Sequence, residues 1–166
     1  MNIKLLVLDV DGTLTDGAIL YGNGNVEFKA FNVKDGIIIK TLPKLGIETV
    51  ILTGRVSEAV ERRARELGVQ AIQGADDKAE ALGELVAKRG IGMENCAYIG
   101  DDLNDYAAMQ ICGFKACPAD AAPEIKGLCD YVSSKDGGFG AVRDVCEVLL
   151  KKCGLYDNFV SLCIER

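Results

Sequence analysis

The sequence predicts one α/β domain: a doubly wound parallel sheet of Rossmann-like form, with a β-hairpin protruding after the first strand and no separate cap domain. Three observations predict it. The 166 residues suit a single hydrophobic core. Short, wholly apolar runs alternate with amphipathic segments, as in a parallel sheet covered by helices on both faces. One segment breaks that alternation.

Ile3-Lys4-Leu5-Leu6-Val7-Leu8 is the first buried strand. Ala18-Ile19-Leu20-Tyr21 and Val26-Glu27-Phe28-Lys29-Ala30-Phe31 then flank Gly22-Asn23-Gly24-Asn25, a turn composition that predicts a hairpin over about 18–31. Two strands alone are marginal in water, so the hairpin leans on the domain or on another copy of the chain. Helical patterns follow at 36–45, at 57–67 and at 76–89, with a buried strand at 48–52. The helix at 57–67 has Ser57 as its cap, early acids, and Gly68 as its stop. A strand at 96–99, a short helix at 103–111, short strands at 114–117 and 131–133, and a last helix at 139–152 complete the domain. Residues beyond Gly154 read as a tail of uncertain order, and the domain is taken as 1–166.

Composition narrows the chemistry. The net charge of −6 offers no global attraction for nucleic acid. No apolar run approaches the roughly 18–20 residues of a membrane span, and the N-terminus lacks the features of a signal peptide, so a cytoplasmic protein without a membrane is expected. The chain has no histidine, which removes Ser–His and Cys–His triads, phosphohistidine and imidazole metal sites. Acid–base work falls to carboxylates, lysine, tyrosine or thiols. The seven cysteines form no C-x-x-C pair and read as reduced thiols, largely apolar filler at positions such as Cys112 and Cys146.

Four clusters sit at predicted strand ends or helix starts, where open α/β sheets bind ligands. Asp9-Val10-Asp11-Gly12-Thr13 follows the first strand; its paired carboxylates suit a hard cation and a phosphoryl group, or a polar turn capping a helix. Thr53-Gly54-Arg55 follows the second, and offers a hydroxyl and backbone N–H groups to phosphate oxygens or simply caps the next helix. Asp77-Lys78 opens a helix, where a lone lysine is ordinarily a solvated charge. Gly100-Asp101-Asp102-Leu103-Asn104-Asp105 crowds acids that repel one another unless a cation or a lysine compensates; a capped helix start accounts for one of them, not three.

Taken in order, DVDGT, LTGR, DK and GDDLND resemble the four motifs of the haloacid dehalogenase-like phosphohydrolases over most of the chain. The resemblance implies Asp9 as nucleophile, Asp11 as general acid and base, and Mg²⁺ held by the carboxylates of Asp9 and Asp101 with the backbone carbonyl of Asp11. It implies that Thr53 and Lys78 neutralise the transferring phosphoryl group, with Gly12 and Gly54 beside it. Asp105 would orient Lys78, and Asp102 and Asn104 would shape the surroundings of the metal. The intervals between these motifs are already filled by the hairpin, helices and strands, which leaves no room for an inserted cap.

Phe31-Asn32-Val33-Lys34-Asp35-Gly36 and Gly137-Gly138-Phe139-Gly140-Ala141-Val142-Arg143-Asp144 extend the similarity to the capless phosphatases of 3-deoxy-D-manno-octulosonate 8-phosphate. That group implies a homotetramer in which four hairpins form a barrel and a neighbour completes each pocket, with a small phosphorylated sugar acid as substrate. Arg55 stands where eight-carbon-specific relatives carry arginine and a nine-carbon-specific relative carries glutamate; it either faces the anionic sugar acid or is a surface charge. Lys34 stands where a close relative has arginine. Arg62 and Arg63 either reach a neighbour's substrate or lie on a solvated face, and Arg143 either binds a carboxylate or pairs with Asp144. The alternatives to an eight-carbon phosphatase are a nine-carbon nonulosonate 9-phosphate phosphatase, a phospho-acceptor signalling module, and an inactive oligomerisation domain. The intact Asp9, Asp11, Lys78 and Asp101 argue against inactivity.

Overall fold

The computed structural model describes residues 1–24 and 26–165. Asn25 of the expected hairpin turn and Arg166 at the chain's end lie outside the described residues. In chain order the elements are β1 (Leu5–Leu8), β2 (Leu20–Tyr21), β3 (Glu27–Phe28), α1 (Val33–Thr41), β4 (Glu48–Thr53), α2 (Glu58–Leu67), β5 (Gln70–Gln73), α3 (Lys78–Arg89), β6 (Cys96–Ile99), α4 (Tyr106–Gln110), β7 (Phe114–Cys117), α5 (Pro123–Leu128), β8 (Tyr131–Val132), α6 (Ala141–Cys153) and α7 (Tyr156–Ile164). Six strands form one sheet in the order β5-β4-β1-β6-β7-β8, every pair parallel, and β2 pairs with β3 in a separate antiparallel hairpin.

Strand alternation explains the two layers. Leu6 and Leu8 of β1 face Ile38, Ile39, Leu67, Val145 and Leu149 of the helices on one side. Leu5 and Val7 face Leu82, Leu85, Met109 and Ile125 on the other. Each such side chain gains about 1.5–3 kcal/mol on leaving water, and the central strands β1 and β6 are buried throughout.

Local chemistry moves several boundaries. Helix α1 starts at Val33 because Asn32 accepts a hydrogen bond from the Lys34 amide (2.9 Å), and Pro43 turns its end into a 3₁₀ segment. Ser57 precedes α2 but its side chain makes no capping bond; its amide instead donates to the Gln73 side chain at 2.8 Å. Asp77 caps α3 by accepting from the Glu80 amide at 2.9 Å. The short α5, opened by Pro123, was not anticipated from the sequence.

The tail beyond Gly154, whose order the sequence left uncertain, is ordered over its described residues. Beyond Gly154 the chain forms α7, and Phe159 is buried to 1% exposure against the core. Arg143 is a correction: its Nε pairs with Glu147 at 2.5 Å and its guanidinium lies 4.8 Å over the Phe159 ring. Asp144 accepts instead from the hydroxyls of Tyr131 (2.9 Å) and Ser133 (2.7 Å). Truncating Phe159→Ala should cost about 3–5 kcal/mol in urea unfolding; a loss below about 1 kcal/mol would show that α7 is only loosely attached.

Asp35 ties α1 to the first turn of α6 by accepting from the Arg143 amide at 2.8 Å, and its second oxygen has no hydrogen-bond partner among the described residues. Burial pushes its carboxyl from 3.8 up to about 6, against the pull of that amide and of the Lys135, Arg63 and Arg143 charges. The folded state therefore binds this proton more tightly than the unfolded chain. The stability linked to it is full below the unfolded value and is lost as pH rises through about 6, roughly 3 kcal/mol in all. Relative to wild type, Asp35→Asn should gain about 2–3 kcal/mol between pH 4 and 7 in urea melts; parallel pH profiles for the two proteins would contradict this origin.

Candidate active site

The β4-β1-β6 centre of the sheet brings three motifs to one rim. Leu8 is in register with Ile51 and with Ile99, so the residues that follow emerge together at the carboxyl ends. The Asp9 amide donates to the Ile99 carbonyl at 3.0 Å, which fixes the nucleophile candidate against β6. Gly12 has φ +96°, and a Cβ there would collide with the Asp101 carboxylate. The glycine thus lets the first loop close onto the third. Gly137 and Gly138 support that loop from behind: a Cβ on Gly137 would strike the Gly12 carbonyl, and the Gly138 amide donates to the Thr13 carbonyl at 3.2 Å.

At the centre is one buried ammonium among carboxylates. Lys78 Nζ donates to Asp9 Oδ1 at 2.6 Å and to Asp105 Oδ1 at 2.7 Å, with all three side chains almost fully buried. Asp105 also accepts from the Tyr98 hydroxyl (2.8 Å) and from the amides of Asp101 (3.1 Å) and Asp102 (3.5 Å). Its lone pairs are committed, and it holds the Lys78 ammonium by the ion pair that the resemblance leads one to expect. Burial pulls the Lys78 ammonium down, but the charges of Asp9 and Asp105 outweigh it and hold its pKa above the usual lysine value. Burial, with the charge of Asp105, pushes the Asp9 carboxyl well above the ordinary range despite Lys78. Asp101, which accepts from Thr13 Oγ1 at 2.9 Å, is pushed up to about 6, first by burial.

Asp9, Asp101 and Asp105 present oxygen atoms within 4.8 Å of one another. With Asp105 occupied by its four donors, Asp9 and Asp101 are the pair left under-compensated. Adjacent hard oxygens with raised pKa values fit a divalent cation such as Mg²⁺, which takes few protein carboxylates. The Asp11 carbonyl accepts no hydrogen bond among the described residues and is available as a further oxygen donor.

The other expected residues divide. Thr53 is buried at 2% exposure; its hydroxyl accepts from the Arg55 amide at 3.4 Å and donates to nothing among the described residues. Gly54 is exposed beside it, on the same loop. Arg55 joins the site, its Nε 3.6 Å from Asp11 Oδ2 and its Nη2 2.6 Å from Glu27 Oε2. Asp102 is a helix cap that accepts from the Leu103 amide at 2.8 Å, and Asn104 is exposed on the same turn. Arg63 lines a groove of about 950 Å³ between β3 and α2, where its guanidinium stacks 5.6 Å from Phe31 and donates to the Asn32 carbonyl at 3.3 Å. Arg62 pairs with Glu66 at 3.3 Å on the exposed face. All seven cysteines are free, and Cys96, Cys112, Cys117 and Cys146 are buried as filler.

Sequence reading missed three contributors. Tyr98 lies inside an apolar run and reads as core, although its hydroxyl serves Asp105. Thr13 was read only as part of its motif. Lys29, on the hairpin, pairs with Asp11 Oδ1 and lies 3.4 Å from Glu27. The alternation Val26-Glu27-Phe28-Lys29 held the signal, since it sets both charges on one face.

A doubly wound sheet whose carboxyl rim gathers a buried aspartate, a second acid two residues on, a hydroxyl and a lysine defines a hydrolase of the aspartyl phosphoryl-transfer class. Residues 69–143 match the haloacid dehalogenase-like hydrolase family. The chain is 46% identical over 158 residues to the 3-deoxy-D-manno-octulosonate 8-phosphate phosphatase of Salmonella typhi, covering 95% of this chain and 84% of the relative. The Yersinia pestis enzyme of that name is 45% identical over 150 residues, covering 90% and 80%. Among solved structures, the Moraxella catarrhalis phosphatase in complex with magnesium, phosphate and KDO superposes with a TM-score of 0.93 at 46% identity, covering 96% of this chain and 92% of that one. The cobalt-bound Haemophilus influenzae enzyme gives 0.88 at 39% identity, covering 93% and 91%. The chain belongs to the 3-deoxy-D-manno-octulosonate 8-phosphate phosphatase family of haloacid dehalogenase-like hydrolases.

Removing the Tyr98 hydroxyl tests the Asp105 cluster. Tyr98→Phe should destabilise the protein by about 1.5–3 kcal/mol in chemical denaturation, because the bond reaches a buried carboxylate. An unchanged midpoint would mean that Asp105 does not depend on it.

Proposed function

We propose that this chain is a Mg²⁺-dependent phosphomonoesterase that removes the terminal phosphate of 3-deoxy-D-manno-octulosonate 8-phosphate through an aspartyl-phosphate on Asp9. The observation that carries the reading is the buried Asp9–Lys78–Asp105 cluster beside Asp101, built where the family's phosphatase motifs fall. Asp9 attacks phosphorus, the phosphorus–oxygen ester bond breaks, and its electron pair leaves on the sugar alkoxide, which takes a proton from Asp11. Water then attacks the phosphorus of the aspartyl-phosphate. Asp11 accepts its proton, and inorganic phosphate leaves as the Asp9 carboxylate is regenerated. Lys78 and Thr53 face the equatorial oxygens, with Gly12, Gly54 and Asn104 beside the bound group. When bound by Asp9, Asp101 and the Asp11 carbonyl, Mg²⁺ supplies the positive charge that lets an anionic nucleophile meet an anionic phosphate.

Arg55 supports an eight-carbon sugar acid: its guanidinium, about two-fifths exposed and paired with Glu27 and Asp11, sets a positive charge at the site mouth where a sugar-acid carboxylate would lie. Arg63 is assigned to substrate from a neighbouring copy, because its groove opens beside the hairpin. The hairpin supports a homotetramer. Leu20, Val26 and Phe28 are exposed by 54%, 47% and 57%, an apolar face that a second copy would cover. No described helix is long and apolar enough to cross a membrane. The free thiols suit a reducing compartment such as the cytoplasm.

The test is turnover of sugar phosphates with Mg²⁺. The eight-carbon acid should exceed the nine-carbon 9-phosphate in kcat/KM, and Asp9→Asn should lower kcat by at least about 10⁴ while its circular dichroism stays native. A nine-carbon preference would reassign the substrate. Turnover retained by Asp9→Asn would remove the nucleophile.

A further inference from the structure

The two strands of the hairpin carry an inverted pattern. Phe28 and Val26 point to solvent, while the side chain of Lys29 is 1% exposed and that of Glu27 16% exposed. A lysine on an unsupported hairpin normally keeps its ammonium in water, because confining and desolvating it is unfavourable. This one is turned inward and pairs with Asp11 Oδ1. Asp11 Oδ2 lies 3.6 Å from Arg55 Nε, and no other described residue forms an ion pair with that carboxylate. Glu27 joins the two cations, 3.4 Å from Lys29 Nζ and 2.6 Å from Arg55 Nη2. Asp9 and Asp101 take their partners from Lys78 and Thr13 instead. Two neighbouring acids of one loop are therefore held from opposite sides, Asp9 by the helix α3 start and Asp11 by the hairpin.

We propose that Lys29 is a positioning residue for Asp11: delivered by β3 and steadied by Glu27, it holds the Asp11 carboxylate on the hairpin side, away from Asp9 and Asp101, where it meets the departing alkoxide. This rests on Asp11 being the general acid of the proposed reaction. It makes proton delivery, but not nucleophilic attack, dependent on the hairpin.

The test exploits leaving groups. A nitrophenolate departs without a proton, whereas a sugar alkoxide needs one. With saturating Mg²⁺, kcat/KM is measured for p-nitrophenyl phosphate and for 3-deoxy-D-manno-octulosonate 8-phosphate; this ratio reports the steps through transfer to Asp9. Lys29→Met should lose about 10–100-fold on the sugar phosphate and several-fold less on the aryl phosphate, a share of the 10²–10⁴ that a general acid contributes. Lys29→Arg should restore most of the loss, and Glu27→Gln should reproduce the same selectivity more weakly even if Lys29→Met folds poorly. Equal losses on both substrates, or none, would overturn the proposal. Asp11→Asn is the benchmark. Selectivity in Asp11→Asn without selectivity in Lys29→Met or Glu27→Gln overturns the Lys29 role alone. Its absence in Asp11→Asn overturns the acid assignment, and the Lys29 role falls with it.

Discussion

Everything at the rim follows from burying two carboxylates on one ammonium with a third, half-buried carboxylate beside them. Like charges about 4 Å apart repel by roughly 4 kcal/mol at an effective dielectric constant of 20, and burial adds to that cost. Asp9, Asp101 and Asp105 accept the crowding because Lys78 joins two of them and because a hydroxyl and two amides engage Asp105. The arrangement also breaks a local rule. Lys78 is the first residue of α3, where the helix dipole disfavours a cation and favours the acid that Asp77 supplies as its cap. A sequence chosen for helix stability would not place lysine there. The departure is offset by the two carboxylates, and it aims the ammonium into the rim.

The sheet order makes such a cluster possible. With β1 between β4 and β6, loops from distant parts of the chain emerge side by side, and close approach is then a matter of side-chain volume. Gly12 removes the one Cβ that would keep the first loop off Asp101, and the Gly137-Gly138 pair lets a late loop press against the back of the early one. The C-terminal glycine motif therefore acts through the backbone of the Asp9–Thr13 loop as well as through the start of α6. Precision in the acids is supplied by residues with no chemistry of their own.

What the sequence disclosed, and what it hid, divides along the same line. Strands such as β1 and β6 were legible because a strand buried on both faces is an unbroken apolar run, and the acids and Lys78 were legible because they recur in order at strand ends. Helix α7 was hidden although six of its nine residues are apolar or aromatic: Phe159 anchors it by tertiary contact with Arg143 and the core, which no local pattern announces. Ser57 looked like a cap, yet the Gln73 side chain takes its amide from a strand sixteen residues away. Tyr98 carried a polar role inside an apolar strand, where its ring alone accounts for its presence.

The hairpin shows why exposure and amphipathic pattern need separate reading. In an ordinary surface strand the apolar face turns inward and the charges turn out. Here Glu27 and Lys29 turn in, over the first loop, and Leu20, Val26 and Phe28 turn out. Such an element has nothing beneath it to bury, so its own fold contributes little to holding it in place. Its inner face is fixed by ion pairs to Asp11 and Arg55, and its outer face is left to whatever covers it. Those two attachments share one short backbone ribbon, so a displacement at the outer face would carry Lys29 and Glu27 on the inner one with it. A surface covered by a second copy of the chain would then set the position of a side chain inside the site, without that copy touching the reacting atoms.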